Sequence, residues 1–176
     1  TVYATTFSGS ATSSQTLDVG GTARAASTSS TANTIAARNS SGDIYAQVFH
    51  GIATQAQYAD LAEKYETDSN YDVGTVVVFG GDKEVTHSTV ANDTAVAGVI
   101  SENPAYLMNN DSEGQAIALV GKVKCKVHGM IAKGDLLTTS GEKPGYAKKA
   151  ISPVLGSIVG KAMEDKTDSG ESVILI

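Results

Sequence analysis

Apolar and polar positions along this chain follow different periods in different stretches. From Gly74 to Thr86, GTVVVFGGDKEVT runs a β-branched apolar segment into a Gly-Gly-Asp-Lys turn and back into a second such segment. Branched side chains suit a pleated surface and glycine supplies the backbone angles of a tight turn, so this stretch predicts a β-hairpin. AVAGVIS (Ala95–Ser101), AIALVGKVKCKV (Ala116–Val127), DLLTTS (Asp135–Ser140), GSIVGKAM (Gly156–Met163) and SVILI (Ser172–Ile176) continue the pattern. Turn clusters separate them: ENP at Glu102, NNDSEG at Asn109, SGEKPG at Ser140 and DKTDSGE at Asp165. Short strands punctuated this way predict a compact all-β barrel or sandwich domain over residues 69–176. That length suffices for an independent core, and the apolar SVILI strand is expected to be packed into it.

Within KVKCKVH, Val123, Cys125 and Val127 share one face of a strand, and Lys122, Lys124, Lys126 and His128 the other. Cys125 is therefore expected to be a small buried strand residue. As the only cysteine it forms no internal disulfide.

A different period marks QAQYADLAEKYETD (Gln55–Asp68). Tyr58, Leu61, Ala62 and Tyr65 are spaced by three or four, with Glu63 and Lys64 among the polar positions between them. This predicts a short helical connector over residues 55–68. It either packs the preceding segment onto the β-domain or joins a trimeric bundle through Tyr58, Leu61 and Tyr65.

Upstream, residues 1–54 form a third region. VYATTFSGSATSSQ from Val2 and IYAQVFHGIATQAQ from Ile44 match at Tyr3/Tyr45, Ala4/Ala46, Phe7/Phe49, Gly9/Gly51, Ala11/Ala53, Thr12/Thr54 and Gln15/Gln57, all at an offset of 42 residues. A fixed offset marks a repeated structural unit, and a first copy starting at the second residue is expected of a chain that begins inside a longer array. Residues 1–42 hold 18 Ser or Thr but only six large apolar residues: Val2, Tyr3, Phe7, Leu17, Val19 and Ile35. Six side chains bury too little surface to offset the conformational entropy of ordering such a segment alone. Composition by itself suits a Ser/Thr-rich flexible linker. A linker has no need of aromatics at fixed spacing, whereas a stalk winding several chains around one axis does. On the stalk reading, Tyr3, Phe7, Tyr45 and Phe49 fill the space between the chains of a homotrimer.

Composition narrows the partners. A net charge of -6 gives no electrostatic reason to expect nucleic acid or an anionic membrane. No apolar run approaches the roughly 20 residues of a membrane-spanning helix, so no membrane insertion is expected.

The chain resembles the C-terminal region of bacteriophage tail-fibre proteins. The most specific stretches are YADLAEKY (Tyr58–Tyr65), GTVVVFGG (Gly74–Gly81) and the pair GDLLTTS and PGYAKKA, while TANTIAARNSSGDIYA resembles the repeats preceding that region. The resemblance implies a homotrimeric virion fibre, extracellular, whose repeat stalk leads to a β-rich distal domain that attaches to a host-surface receptor, glycan or protein. The same region is similar, more loosely, to phage C-terminal domains that act as trimerisation chaperones and cut themselves off. YADLAEKY, the hairpin and Val96–Pro104 carry that likeness. Bacterial trimeric adhesins borrow such modules too.

Candidate chemistry is sparse. His50, His87 and His128 do not stand at metal-ligand spacing, although His50 repeated around a trimer axis offers a geometric route to a metal site. Asp68-Ser-Asn70-Tyr-Asp72 imitates the opening of a calcium loop, but Val73 and Phe79 occupy the positions that need Gly and Glu. No nucleophile elbow, phosphate loop or dinucleotide fingerprint occurs. No catalytic residue, cofactor or metal is assigned, and no enzymatic activity is expected. Asn39-Ser-Ser-Gly42 reads as a hydroxyl-bearing turn. For receptor binding the candidates are Tyr106, Asn109, Asn110 and Asp111, where a tyrosine adjoins a polar loop. Tyr106 also suits packing against the next protomer.

Overall fold

The computed structural model describes residues 16–19, 22–27, 29, 35–36, 38–44, 46 and 59–176. Every regular element among them is a β-strand. The chain divides into two units, Thr1–Ala53 and Thr54–Ile176.

In the first unit, β1 (Thr16–Val19), β2 (Thr22–Ser27) and β3 (Ile35–Ala36) form a small sheet in that order. β1 and β2 run antiparallel, Val19 opposite Thr22, and β3 joins β2 in parallel with Ile35 opposite Ala26. Asn39 closes the turn that follows. Its side-chain oxygen accepts from the amides of Ser41 and Asp43 at 2.9 and 2.8 Å, and its amide donates to the Asp43 carboxylate at 3.0 Å. Asn39-Ser-Ser-Gly42 is thus a turn stapled by one side chain. Tyr3, Phe7, Tyr45, Phe49, Tyr58 and His50 lie outside the described residues.

The second unit contains two open sheets. Its strands are β4 (Asp60–Tyr65), β5 (Val76–Phe79), β6 (Val85–His87), β7 (Val96–Ile100), β8 (Tyr106–Met108), β9 (Gln115–Gly121), β10 (Lys124–His128), β11 (Leu136–Thr139), β12 (Ala147–Lys149), β13 (Ile158–Lys161) and β14 (Glu171–Leu175). The six-stranded sheet has the order β6-β5-β7-β9-β4-β8 and the five-stranded sheet β13-β11-β12-β10-β14. β5 and β6 form the hairpin expected from GTVVVFGGDKEVT, with Val78 opposite Thr86.

The helix expected over residues 55–68 is corrected by β4, a strand from Asp60 to Tyr65. Leu, Ala, Glu and Lys favour a helix when the window is weighed alone. Here both edges of the backbone are taken instead, by β9 in antiparallel and β8 in parallel pairing. The side chains accordingly follow a period of two: Asp60 and Ala62 are buried on one face, while Leu61 is exposed on the other. Long-range pairing outweighs local propensity at this position.

The main core lies between the sheets. Val76 and Val99 from the six-stranded sheet meet Cys125, Val127, Leu137, Ala147 and Ile174 from the five-stranded one. A second cluster, Val77, Val85, Ile100 and Ile117, occupies the opposite face of the six-stranded sheet, with Tyr65 and Tyr71 packed against it. Apolar burial on both faces explains why VVV at Val76–Val78 is continuous rather than alternating. Cys125 and Val127 point inward from β10 as the alternation of KVKCKVH requires.

Candidate functional site

Among the described residues, the outer face of the six-stranded sheet is incompletely covered at its β4, β8 and β9 end. Leu61 stands in register with Tyr106 on one side and Val120 on the other, so three apolar side chains form a row across neighbouring strands. Their exposures are 37, 63 and 72 %. Large apolar side chains gathered on a surface mark an interaction site more often than scattered ones do. Val120 has no signal in the sequence, because a register shift between Leu61 and Ala62 changes which β9 residues face which β4 residues.

Beside this row, the loop between β8 and β9 is held in one shape. Asn109, in the left-handed region at φ 52°, donates from its side-chain amide to Glu63 Oε1 at 2.6 Å. Lys64 Nζ donates to the carbonyls of Asn110 and Ser112 at 2.8 and 3.2 Å. Gly114 ends the loop at φ +104°, where a Cβ would stand 1.9 Å from the Tyr65 carbonyl oxygen. No side chain larger than hydrogen fits there. The structure thus brings Leu61 and Tyr106 together and ties Asn109 and Asn110 to β4. Asp111 sits exposed in the same loop.

Tyr65 turns to its own unit. Its ring meets Phe79 edge-on with centroids 5.7 Å apart, and its hydroxyl donates to Glu63 Oε2 at 2.9 Å. Burial, helped by the Glu63 hydrogen bond and charge, pushes its phenol pKa up.

The stretch from Asp68 to Asp72 is a cross-braced turn. Tyr71 donates its hydroxyl to Asp68 Oδ1 and lies 3.0 Å from His87 Nδ1. Gln115 grips the Tyr71 backbone at both its N–H and its carbonyl, at 2.8 and 2.7 Å. The Tyr71 and Thr86 hydrogen bonds hold the Asp68 carboxyl below the usual carboxylate range. Asp72 pairs with Lys126 at 3.1 Å. Among the described residues, no three His, Cys, Asp or Glu side chains converge on a point suited to a metal ion. His128 contacts the Ser140 hydroxyl through Nε2 at 2.6 Å.

A rigid polar loop beside an exposed apolar row has the makeup of a protein interface: an apolar centre flanked by fixed hydrogen-bonding groups. No protein-family model matches the chain, and no curated protein matches it.

Proposed function

We propose that this chain is a structural, non-enzymatic fibre protein, the distal part of a homotrimeric phage tail fibre used in host-surface attachment on the outside of the virion. A repeat stalk over residues 1–54, with Tyr3, Phe7, Tyr45 and Phe49 between its chains, leads through Tyr58, a further contact between chains, to the β-module. The observation that carries the self-association is the row Val120, Leu61 and Tyr106 on an open sheet face. Burying those side chains against a second copy removes apolar surface from water, at about 25 cal/mol per Å². The restrained Asn109–Ser112 loop supplies polar groups at the margin of that contact, with little ordering cost on binding.

Light scattering on the full chain and on Leu61→Asp/Val120→Lys tests this reading. The full chain is expected at about three times its 18.0 kDa mass, and the double variant at a lower mass with an unchanged β-type circular dichroism spectrum. A full chain that runs as a monomer overturns the proposal.

A further inference from the structure

A cleft of about 550 Å³ opens on the outer face of the five-stranded sheet. Val127 and Ala147 are register partners pointing into the core, so alternation places the next residues, His128 and Lys148, side by side on the outer face. Thr138 is the partner of Lys148 on the far side, so β11, β12 and β10 together make the floor. Met130 and Ile151 contribute to the walls, while Lys149, the partner of core residue Leu137, turns its side chain to the other face.

The hydrogen-bond inventory of this floor is asymmetric. Ser140 Oγ accepts from the backbone N–H groups of Glu142 and Lys143 at 3.1 and 3.0 Å. Both of its lone pairs are then in use, so its hydroxyl hydrogen goes to His128 Nε2 at 2.6 Å. The imidazole proton consequently resides on Nδ1, which makes the ring a donor there. Lys148 spends one of its three donors on Glu142 at 3.1 Å, and Lys149 one on Asp135 at 2.9 Å. Both are partly exposed ion pairs, of the weakly held kind. Lys148 thus keeps two donors beyond its bond to Glu142, the one carboxylate among the residues lining the cleft.

That local balance runs against the rest of the chain. The net charge is -6, yet from Lys122 onward nine lysines face six acids. At the rim, Met130 and Ile151 are 67 and 90 % exposed, an apolar edge next to the Lys148 ammonium. A cationic donor, an imidazole N–H donor and an apolar edge match a ring that carries a carboxylate, several hydroxyls and one C–H face.

We propose that this cleft binds a carboxylate-bearing saccharide, with Lys148 taking the carboxylate, His128 donating to the sugar, and Met130 and Ile151 lying against its C–H face. The inference rests on the attachment reading and names the class of receptor it engages.

Titration calorimetry on the full chain tests it, with digalacturonate and sialyllactose as acidic probes. The carboxyl-reduced form of each serves as the neutral control, and acetate as a bare carboxylate. At least one acidic sugar is expected to bind at millimolar concentration or below, and its reduced form about tenfold or more weaker. Lys148→Met, which keeps the aliphatic stem, is expected to weaken the acidic sugar by a similar factor, with unfolding still cooperative and lowered only by the loss of one surface ion pair. Lys148→Gln provides the same test if that variant folds poorly. Binding by neither acidic sugar overturns the proposal, as do equal binding of a reduced form, equal binding of acetate, or unaltered binding by both Lys148 variants. A monomeric chain that still binds an acidic sugar overturns the fibre reading and leaves the cleft standing. A trimer that ignores both sugars overturns the cleft alone.

Discussion

At Cys125, strand alternation sends the thiol into the layer between the sheets, where the residue has no exposed surface. Burial pushes its pKa up to about 12, so the thiol stays protonated, and unreactive, throughout the physiological range. Dithionitrobenzoate at pH 8 is expected to leave Cys125 unlabelled in the native chain and to label one thiol per chain once urea unfolds it. Fast labelling of the native chain would show that the strand opens locally. This residue is legible in the sequence because its environment follows from its immediate neighbours. Leu61 is the contrary case. Helical spacing groups it with Tyr58, Ala62 and Tyr65, whereas the strand separates it from Ala62 and sets it beside Tyr106 and Val120.

At the scale of elements, β4 shows what a local reading misses. DLAEKY contains good helix formers, yet it pairs on both edges with strands 45 to 61 residues later in the chain, such as Tyr106 and Val120 opposite Leu61. A substitution distinguishes the two conformations. On the helix, Leu at position 62 extends an apolar stripe at no cost. In β4, Ala62 is fully buried opposite Ala118, and a larger side chain overpacks that site. Ala62→Leu is therefore expected to destabilise the module by about 1–3 kcal/mol, read as a lower urea midpoint with an unchanged slope. The hairpin of β5 and β6 lies at the other extreme. Its two strands and its turn are adjacent in sequence, and VVVFGGDKEV states all three. Even there, the continuity of the apolar run does not say which face meets the other sheet.

For the whole molecule, charges paired across elements set the response to acid. Asp135, Glu142, Asp168 and Glu171 are each held below the usual carboxylate range, first by hydrogen bonds from Lys149, Lys148, Lys166 and Lys143 respectively. Asp68 is held down by Tyr71. A carboxyl with a depressed folded pKa binds protons more readily in the unfolded chain. Its contribution to stability is present above the unfolded value of about 4 and is lost as pH falls through the folded value. Urea midpoints are thus expected to hold steady from pH 7 to about 5 and to decline below about 4. Because these carboxylates lie at the surface, added salt should flatten that decline. A midpoint that stays constant down to pH 2 would show that the pairs contribute nothing.

The sequence by itself determined the all-β character of residues 69–176, the hairpin after Gly74 and the inward face of β10. Each depends on residues close together in the chain, through alternation and turn chemistry. Tertiary structure alone decided that Asp60–Tyr65 is a strand, that Val120 completes an apolar row with Leu61 and Tyr106, and that His128 meets Lys148 above Thr138. Those outcomes come from ladders between segments tens of residues apart. A single register shift there reassigns every facing side chain, and no local pattern encodes the shift.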